Sequence, residues 1–285
     1  MLITPTVESL PDVIKEMRTW SFEPEMASLH VGDLGWFQQF GGPALAAALR
    51  VWRIDDRLVA VGLLDDPALL RLSVAPERRH DAVFIRQLVA DITAADGRVL
   101  PAGRAAVEAR FDGPLQGLLL AQGWDYDEPW TPLVRDLSGD VPQHHLRIEN
   151  VDDDRIDDRL AVHHSAFDSS TFTEERWRAL TMGTAYATAR SLVGYDDDNN
   201  PVAMVTVWAT GSGGPGELEP MGVHRDHQGR GHGRAICLAA AAALQELGAS
   251  HAFVSTPHSN TGAVATYRAA GYEEKPWVRD LRRPV

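Results

Sequence analysis

Cysteine is nearly absent from this chain of 285 residues: Cys237 stands alone. One thiol can neither close an intrachain disulfide nor supply a four-cysteine zinc site, and so low a cysteine content predicts a reducing, cytoplasmic setting. Lysine is almost as scarce. Only Lys15 and Lys275 occur, so arginine accounts for 27 − 2 = 25 of the 27 basic residues; with many Ala and Gly, this bias suggests a GC-rich bacterial gene. No apolar run approaches the roughly 20 residues of a spanning helix, and no basic segment with a signal-like core opens the sequence, so no membrane partner is expected. Positive charge is in deficit, 27 basic residues against 40 acidic for a net charge of −13. That balance disfavours a nucleic-acid-coating surface, which needs Lys and Arg in excess. Both halves share the acidity: 13 basic and 21 acidic residues lie in 1–142, leaving 14 and 19 for 143–285. A hydrophobic content of 44% describes a folded globule, either one large domain or two of about 140 residues.

An internal repeat favours two domains. Leu120-Ala121-Gln122-Gly123-Trp124, followed by Pro129-Trp130 and Val134-Arg135-Asp136-Leu137, returns as Arg268-Ala269-Ala270-Gly271-Tyr272, Pro276-Trp277 and Val278-Arg279-Asp280-Leu281. Upstream, Leu72-Ser73-Val74 resembles Met221-Gly222-Val223, and Val74 to Gly123 spans 49 positions where Val223 to Gly271 spans 48. A period of about 145 residues is too long for a solenoid unit and reads as duplication of a whole domain. The Gly/Pro-containing stretch Ser138-Gly139-Asp140-Val141-Pro142 suits the linker between them.

The C-terminal half has the clearer local pattern. Strands are expected at 146–148, 191–195, 202–209, 216–223, 252–256 and 277–281, and helices over 157–167, 173–180, 230–247 and 260–270. Gly248 and Gly271 stand where helices stop. Strands alternating with helices, plus a hairpin over 196–201, predict an α/β or α+β fold. The first half fits the same order from Val51 onwards, whereas residues 1–50 carry little pattern.

The most informative segment runs from Val223 to Arg234, V-H-R-D-H-Q-G-R-G-H-G-R. It leads from a strand end through a glycine loop into a helix. Gly229, Gly231 and Gly233 let backbone N–H groups approach a ligand, and the helix N-terminus adds unsatisfied donors and the positive end of its dipole. Such a site suits a phosphate or pyrophosphate. A Walker loop would need Lys-Ser/Thr where Arg234-Ala235 stand, and a dinucleotide fingerprint would need G-x-G-x-x-G, whereas these glycines are spaced by two. An ordinary glycine-rich turn is the remaining alternative.

Two motifs decide between these. Gln228-x-x-Gly231-x-Gly233 after a strand, then Asn260-x-x-Ala263-x-x-x-Tyr267-x-x-x-Gly271-Tyr272 after the next strand, resemble the GNAT acetyltransferase superfamily over residues 145–285. The duplicated arrangement resembles tandem members such as mycothiol synthase in architecture. The resemblance implies two tandem GNAT-like domains, each a mixed, mostly antiparallel sheet flanked by helices: 1–140, degenerate and without an acetyl-CoA loop, and 144–285, catalytic. It implies acetyl-CoA as co-substrate, gripped by Met221, Gly222, Val223, Gln228, Gly229, Arg230, Gly231, His232, Gly233, Arg234 and Asn260. The Val223 N–H would polarise the thioester carbonyl, and Tyr267 would protonate the departing sulfur. Glu219, or Glu217 in its place, would take the amine proton or anchor the amine; strand alternation would put Glu217, Glu219, Met221 and Val223 on one face.

The first half has lost these features. Alignment on Val74 puts His80-Asp81-Ala82-Val83-Phe84 where Gly229 to Gly233 stand, and Leu119, Asp112 and Leu70 in place of Tyr267, Asn260 and Glu219. A structural or acceptor-shaping role is expected for it. Cys237 reads as a buried small hydrophobe, His163 and His164 as exposed helix residues, and Trp36-Phe37 as a hydrophobic contact between domains. His224, His227 and His232 crowd the loop without carboxylates at ligand spacing, so no metal is expected. The expected function is N-acetyl transfer to an amine of a small molecule or peptide by a monomer or homodimer. A CoA-binding sensor or scaffold without significant catalysis is the alternative.

Overall fold

The two halves of the chain lay down similar successions of elements in the computed structural model, which describes residues 1–20 and 28–284. The first half comprises β1 (Leu2–Ile3), α1 (Leu10–Met17), α2 (Val31–Phe37), α3 (Gly42–Ala48), β2 (Leu49–Ile54), β3 (Arg57–Asp66), β4 (Leu69–Val74), α4 (Ala82–Ile92), β5 (Ala105–Glu108), α5 (Leu115–Leu120) and β6 (Asp125–Asp136). The second comprises β7 (Arg147–Asn150), α6 (Ile156–Ala166), α7 (Glu174–Thr181), β8 (Ala189–Tyr195), β9 (Pro201–Ala209), β10 (Pro215–Val223), α8 (His232–Glu246), β11 (His251–Pro257), α9 (Thr261–Ala269), β12 (Glu273–Glu274) and β13 (Val278–Arg283). Every element expected in the C-terminal half is present, its ends displaced by no more than two residues. Gly123 after α5 and Gly271 after α9 both adopt positive φ, 86° and 82°, the left-handed stop that glycine supplies without a Cβ penalty. Among the described residues of the poorly patterned stretch 1–50 stand three short α-helices.

Among the described residues all strands join one 13-stranded sheet in the order β1-β2-β3-β4-β5-β13-β6-β11-β10-β9-β8-β7, with β12 paired to β6. The centre of this sheet is reciprocal. β6, from the first half, pairs antiparallel with β11 from Trp130↔Pro257 to Asp136↔His251. β13, from the second half, pairs with β5 through Leu281↔Val107 and with β6 through Val278↔Trp130. The closing strands of the two halves have therefore changed places. Local pattern locates a strand near 277–281 but carries no information about its neighbour, because the period of two is the same in either sheet.

Three apolar cores follow. One lies under α4 and α5 and one under α8 and α9; in the latter, Cys237 and most of the alanines of α8 are buried, so short side chains let that helix sit close to the sheet. The third core belongs to both halves: α1 to α3 pack with α7, β8 and Trp208. On α2, a Cβ at Gly35 would stand 2.3 Å from Trp208 Cζ3, and one at Gly32 would stand 2.4 Å from Glu217 Oε2. Only glycine permits this approach. Burying an aromatic side chain the size of Trp208 is worth about 4–6 kcal/mol by area, so the contact between halves is built like a domain interior. Among the described residues no helix is long and apolar enough to cross a membrane.

Candidate active site

The site opens where two parallel strands part. β10 and β11 are paired from Pro215↔His251 to Glu217↔Phe253, after which β10 runs on to Val223 and β11 to Pro257 without pairing to each other. At the parting, β10 bulges against β9: Leu218 pairs with Val207, yet Met221 pairs with Val205. The extra residue resets the alternation. The expectation that Glu217, Glu219, Met221 and Val223 share a face is thereby corrected. Leu218, Met221 and Val223 pack into the C-terminal core, whereas Glu217 reaches the face occupied by His30 and Gly32. Glu219 stands in the bulge, half-buried, its carbonyl accepting from Trp208 Nε1 at 2.6 Å. Beyond it, the His224 N–H donates to Val202 O on β9 at 2.9 Å. N–H groups alternate in direction along a strand, so the Val223 N–H points the other way, into the gap left by β11.

The chain then makes a 3-10 turn over Arg225–His227 and enters α8 through Gly231, whose φ of 85° only glycine adopts freely; no side chain caps this helix. The first N–H groups of α8 thus remain available. Gln228, Gly229, Arg230 and Arg234 lie exposed along the loop and first turn, with Arg234 Nε donating to Ala269 O at 3.0 Å. The His232 side chain is turned inward, its Nδ1 at 3.0 Å from His145 Nε2, leaving its backbone to serve a ligand. A Cβ at Gly233 would stand 2.8 Å from Thr266 Cγ2, and one at Gly222 would stand 2.7 Å from Ala166 Cβ, so both glycines hold helices against the site. Asn260 caps α9, its Oδ1 accepting from the Ala263 N–H at 3.2 Å. Ser255 Oγ, where β11 diverges, is buried without a partner. Uncapped helix donors, positive-φ glycines and an orphaned hydroxyl beside a splayed strand pair fit a ligand with a pyrophosphate and a long polar arm.

The corresponding helix of the first half is closed. Asp81 caps α4, Oδ1 accepting from the N–H groups of Val83 and Phe84, both at 3.1 Å. Asp112 binds His80 at 2.8 Å, and Leu70 and Leu119 are fully buried.

Around Glu219 the charge is lopsided. Arg71 of β4 contacts Asp33 at 2.7 Å, Glu108 at 3.2 Å and Asp65 at 3.8 Å. Arg110 grips both oxygens of Asp280, at 2.8 and 3.0 Å. Two arginines thus face these four carboxylates together with Glu217 and Glu219. Burial, then the carboxylates of Glu217 and Asp33, push Glu219 up to about 8, with Arg71 pulling the other way. Burial also pushes Glu217 up to about 7, opposed by Arg71. His30, held down to about 4 chiefly by burial, accepts from the Gly32 N–H at Nδ1 (3.0 Å). That nitrogen carries no proton, so its 3.1 Å contact with Glu217 is a hydrogen bond when Glu217 is protonated. Tyr267 is buried in α9. Burial first, then the nearby Cys237 and Glu219, hold its phenol proton on well above the usual range, which makes it an acid rather than a nucleophile.

Beside Glu219 lies a chamber of about 350 Å³ lined by both halves, with Trp36, Phe37 and Phe40 from the first and His163, Phe167 and Phe172 from the second. Trp36 stacks on Phe172 at 5.1 Å, the contact between halves expected of the Trp36-Phe37 pair. The expectation of an exposed His163 is corrected. It is buried at the chamber wall, where desolvation holds its pKa down to about 3, while His164 is exposed. A larger cavity, about 1010 Å³, runs along β1, β2 and α4; its acidic groups are spent on the Asp81 cap and on the Trp52–Asp91 bond, and it lies away from these residues.

His30, Asp33, Arg71 and Glu108 escaped the sequence reading. Their signal was present: a single charge inside an apolar strand, as in Leu70-Arg71-Leu72 or Val107-Glu108-Ala109, survives burial only when paired.

Residues 153–272 match the acetyltransferase (GNAT) family model. Comparison with curated protein sequences gives no match. Among solved structures, the fold is similar to a GCN5-related N-acetyltransferase from Sphaerobacter thermophilus (16% identity, 99% of this chain and 95% of that one, TM-score 0.58). It is also similar to a tandem GNAT protein from the clavulanic acid biosynthesis pathway (15%, 99% and 98%, TM-score 0.59). A GNAT-family acetyltransferase from Colwellia psychrerythraea aligns likewise (14%, 99% and 98%, TM-score 0.61). At these identities the structural likeness is one of fold. Residues 153–272 thus form a domain of the acetyltransferase (GNAT) family, and the likeness of fold to GNAT proteins extends along nearly the whole chain.

Proposed function

We propose that the chain moves the acetyl group of acetyl-CoA to an amine of a small molecule or peptide by direct transfer, in a catalytic domain of residues 144–285. Residues 1–140 form a second GNAT-like domain that holds no acetyl-CoA. The observation carrying this reading is the contrast between the uncapped N-terminus of α8 and the carboxylate-capped N-terminus of α4: one is open to a pyrophosphate and the other is already filled by negative charge.

The geometry supports the following roles. Donors of the loop and first turn, from Gln228 to Arg234, hold the phosphates, and Met221 to Val223 align the thioester with the Val223 N–H at its carbonyl oxygen. The Glu219 carboxylate takes a proton from the ammonium of the acceptor. The freed amine forms the N–C bond as the C–S bond breaks, Tyr267 gives its proton to the leaving sulfur, and the nitrogen's remaining extra proton restores the phenol. The products are an N-acetylated amine and CoA thiol. A base near 8 suits the first of these transfers, because its affinity for a proton approaches that of the amine it serves.

Calorimetric titration with acetyl-CoA, joined to a free-thiol assay with amines, tests this reading. A single site per chain and amine-dependent thiol release are expected. Two equivalent sites would overturn the assignment of the halves, and tight binding without release from any amine would favour a CoA-binding sensor.

A further inference from the structure

We infer that the acceptor is a primary amine borne on a flat, apolar body of about one ring system, held in the chamber between the two halves. The inference rests on the acetyl-transfer reading above and names the substrate class of that site. The walls come first. Trp36, Phe37 and Phe40 and the opposing His163, Phe167 and Phe172 line one cavity, and desolvation keeps the imidazole neutral. Trp36 packs on Phe172 with an interplanar angle of 23° and stays half-buried, so its indole supplies apolar ring surface to the wall, suited to a planar group.

Charge comes second. The chamber's carboxylates are Asp65 and Glu219, and its arginine, Arg176, is held within the wall by Thr171 Oγ1 and the Phe40 ring. Behind Glu219 stand Glu217 and Asp33, with Arg71 as their nearest counter-charge. Once Glu219 is ionised, above about pH 8, a carboxylate between aromatic walls selects a cation.

Size and polarity exclude the main competitors. About 350 Å³ is about a dozen water volumes of ~30 Å³, enough for a ring and a short amine-bearing arm. Part of the wall's polarity is paired internally: Gln39 Nε2 donates to Trp36 O at 3.1 Å, Ser170 Oγ accepts from the Phe172 N–H at 3.2 Å, and Thr171 Oγ1 accepts from Arg176. A polyhydroxylated amine would leave hydroxyls unpaired, and a polyamine would bring its second charge towards Arg176.

The test uses the full chain with phenethylamine, n-butylamine, glucosamine and spermidine, followed by thiol release and, separately, by calorimetry without acetyl-CoA. Phenethylamine is expected to exceed the other three in kcat/KM by about tenfold or more. Trp36→Ala and Phe40→Ala should each raise its KM by about tenfold while the KM for acetyl-CoA stays unchanged; Phe40, 48% exposed, can be truncated without opening a core. Equal or better turnover of butylamine, glucosamine or spermidine would overturn the inference, as would indifference to both variants. Should no amine release thiol, the acetyl-transfer reading fails and calorimetry still decides this one: saturable phenethylamine binding weakened by Phe40→Ala supports it, and no binding overturns it.

Discussion

Asp81 and Gly231 are the N-cap residues of α4 and α8, the matching helices of the two halves, and they treat their helix ends in opposite ways. Asp81 satisfies two N–H groups with its own carboxylate, while Gly231 satisfies none and exposes them. Gly231→Asp should therefore abolish acetyl-CoA binding, placing a carboxylate where the pyrophosphate belongs and straining a residue at φ 85°. Asp81→Ala should cost about 1 kcal/mol of stability and leave the number of acetyl-CoA sites unchanged. Titration calorimetry and chemical denaturation read the two effects.

Tyr267→Phe keeps the buried ring and removes only the proton donor. Its kcat should fall about 10²-fold or more with little change in the KM for acetyl-CoA. An unchanged kcat would take Tyr267 out of the mechanism.

In the proposed mechanism Glu219 works as the carboxylate, so kcat/KM should rise as pH increases through about 8. Glu219→Gln should erase that limb and lower activity about 10²-fold. Stability should run the other way. A carboxyl whose folded pKa is raised binds its proton more tightly when folded, so its contribution is complete below the ordinary carboxylate range and is lost as pH climbs through about 8. Thermal melts from pH 4 to 9 should show that loss flattened in Glu219→Gln.

Asp280→Ala removes one partner of a buried bidentate pair and leaves the Arg110 guanidinium, 2% exposed, facing Glu108 alone. A loss of about 3–5 kcal/mol is expected. Asp96→Ala, which breaks the exposed pair with Arg98, should leave the denaturation midpoint where it was.

The legible parts of this site were those fixed by local chemistry. Glycine permits the positive φ found at Gly229, Gly231 and Gly271, which made the loop and the helix stop readable, and the alternation of apolar residues located β9, β10 and β11 with little error. The bulge between Leu218 and Met221 left no local mark, and it overturned the assignment of Glu217 and Glu219 to one face with Met221. Burial of His163 depends on Trp36 and Phe172 arriving from 127 residues upstream and 9 residues downstream in the sequence, and a helix pattern read in isolation cannot register a neighbour from another part of the chain.

If the chain arose by the duplication expected from its internal repeat, the traded strands β6 and β13 suit one physical history. A single-copy ancestor whose last strand crossed to a second molecule would have made this sheet as a swapped pair, and joining the two copies through 137–146 would have made the trade permanent. Severing that linker should then leave two fragments clasped to one another, each completing its companion, whereas either fragment expressed alone would present a raw sheet edge in search of a substitute.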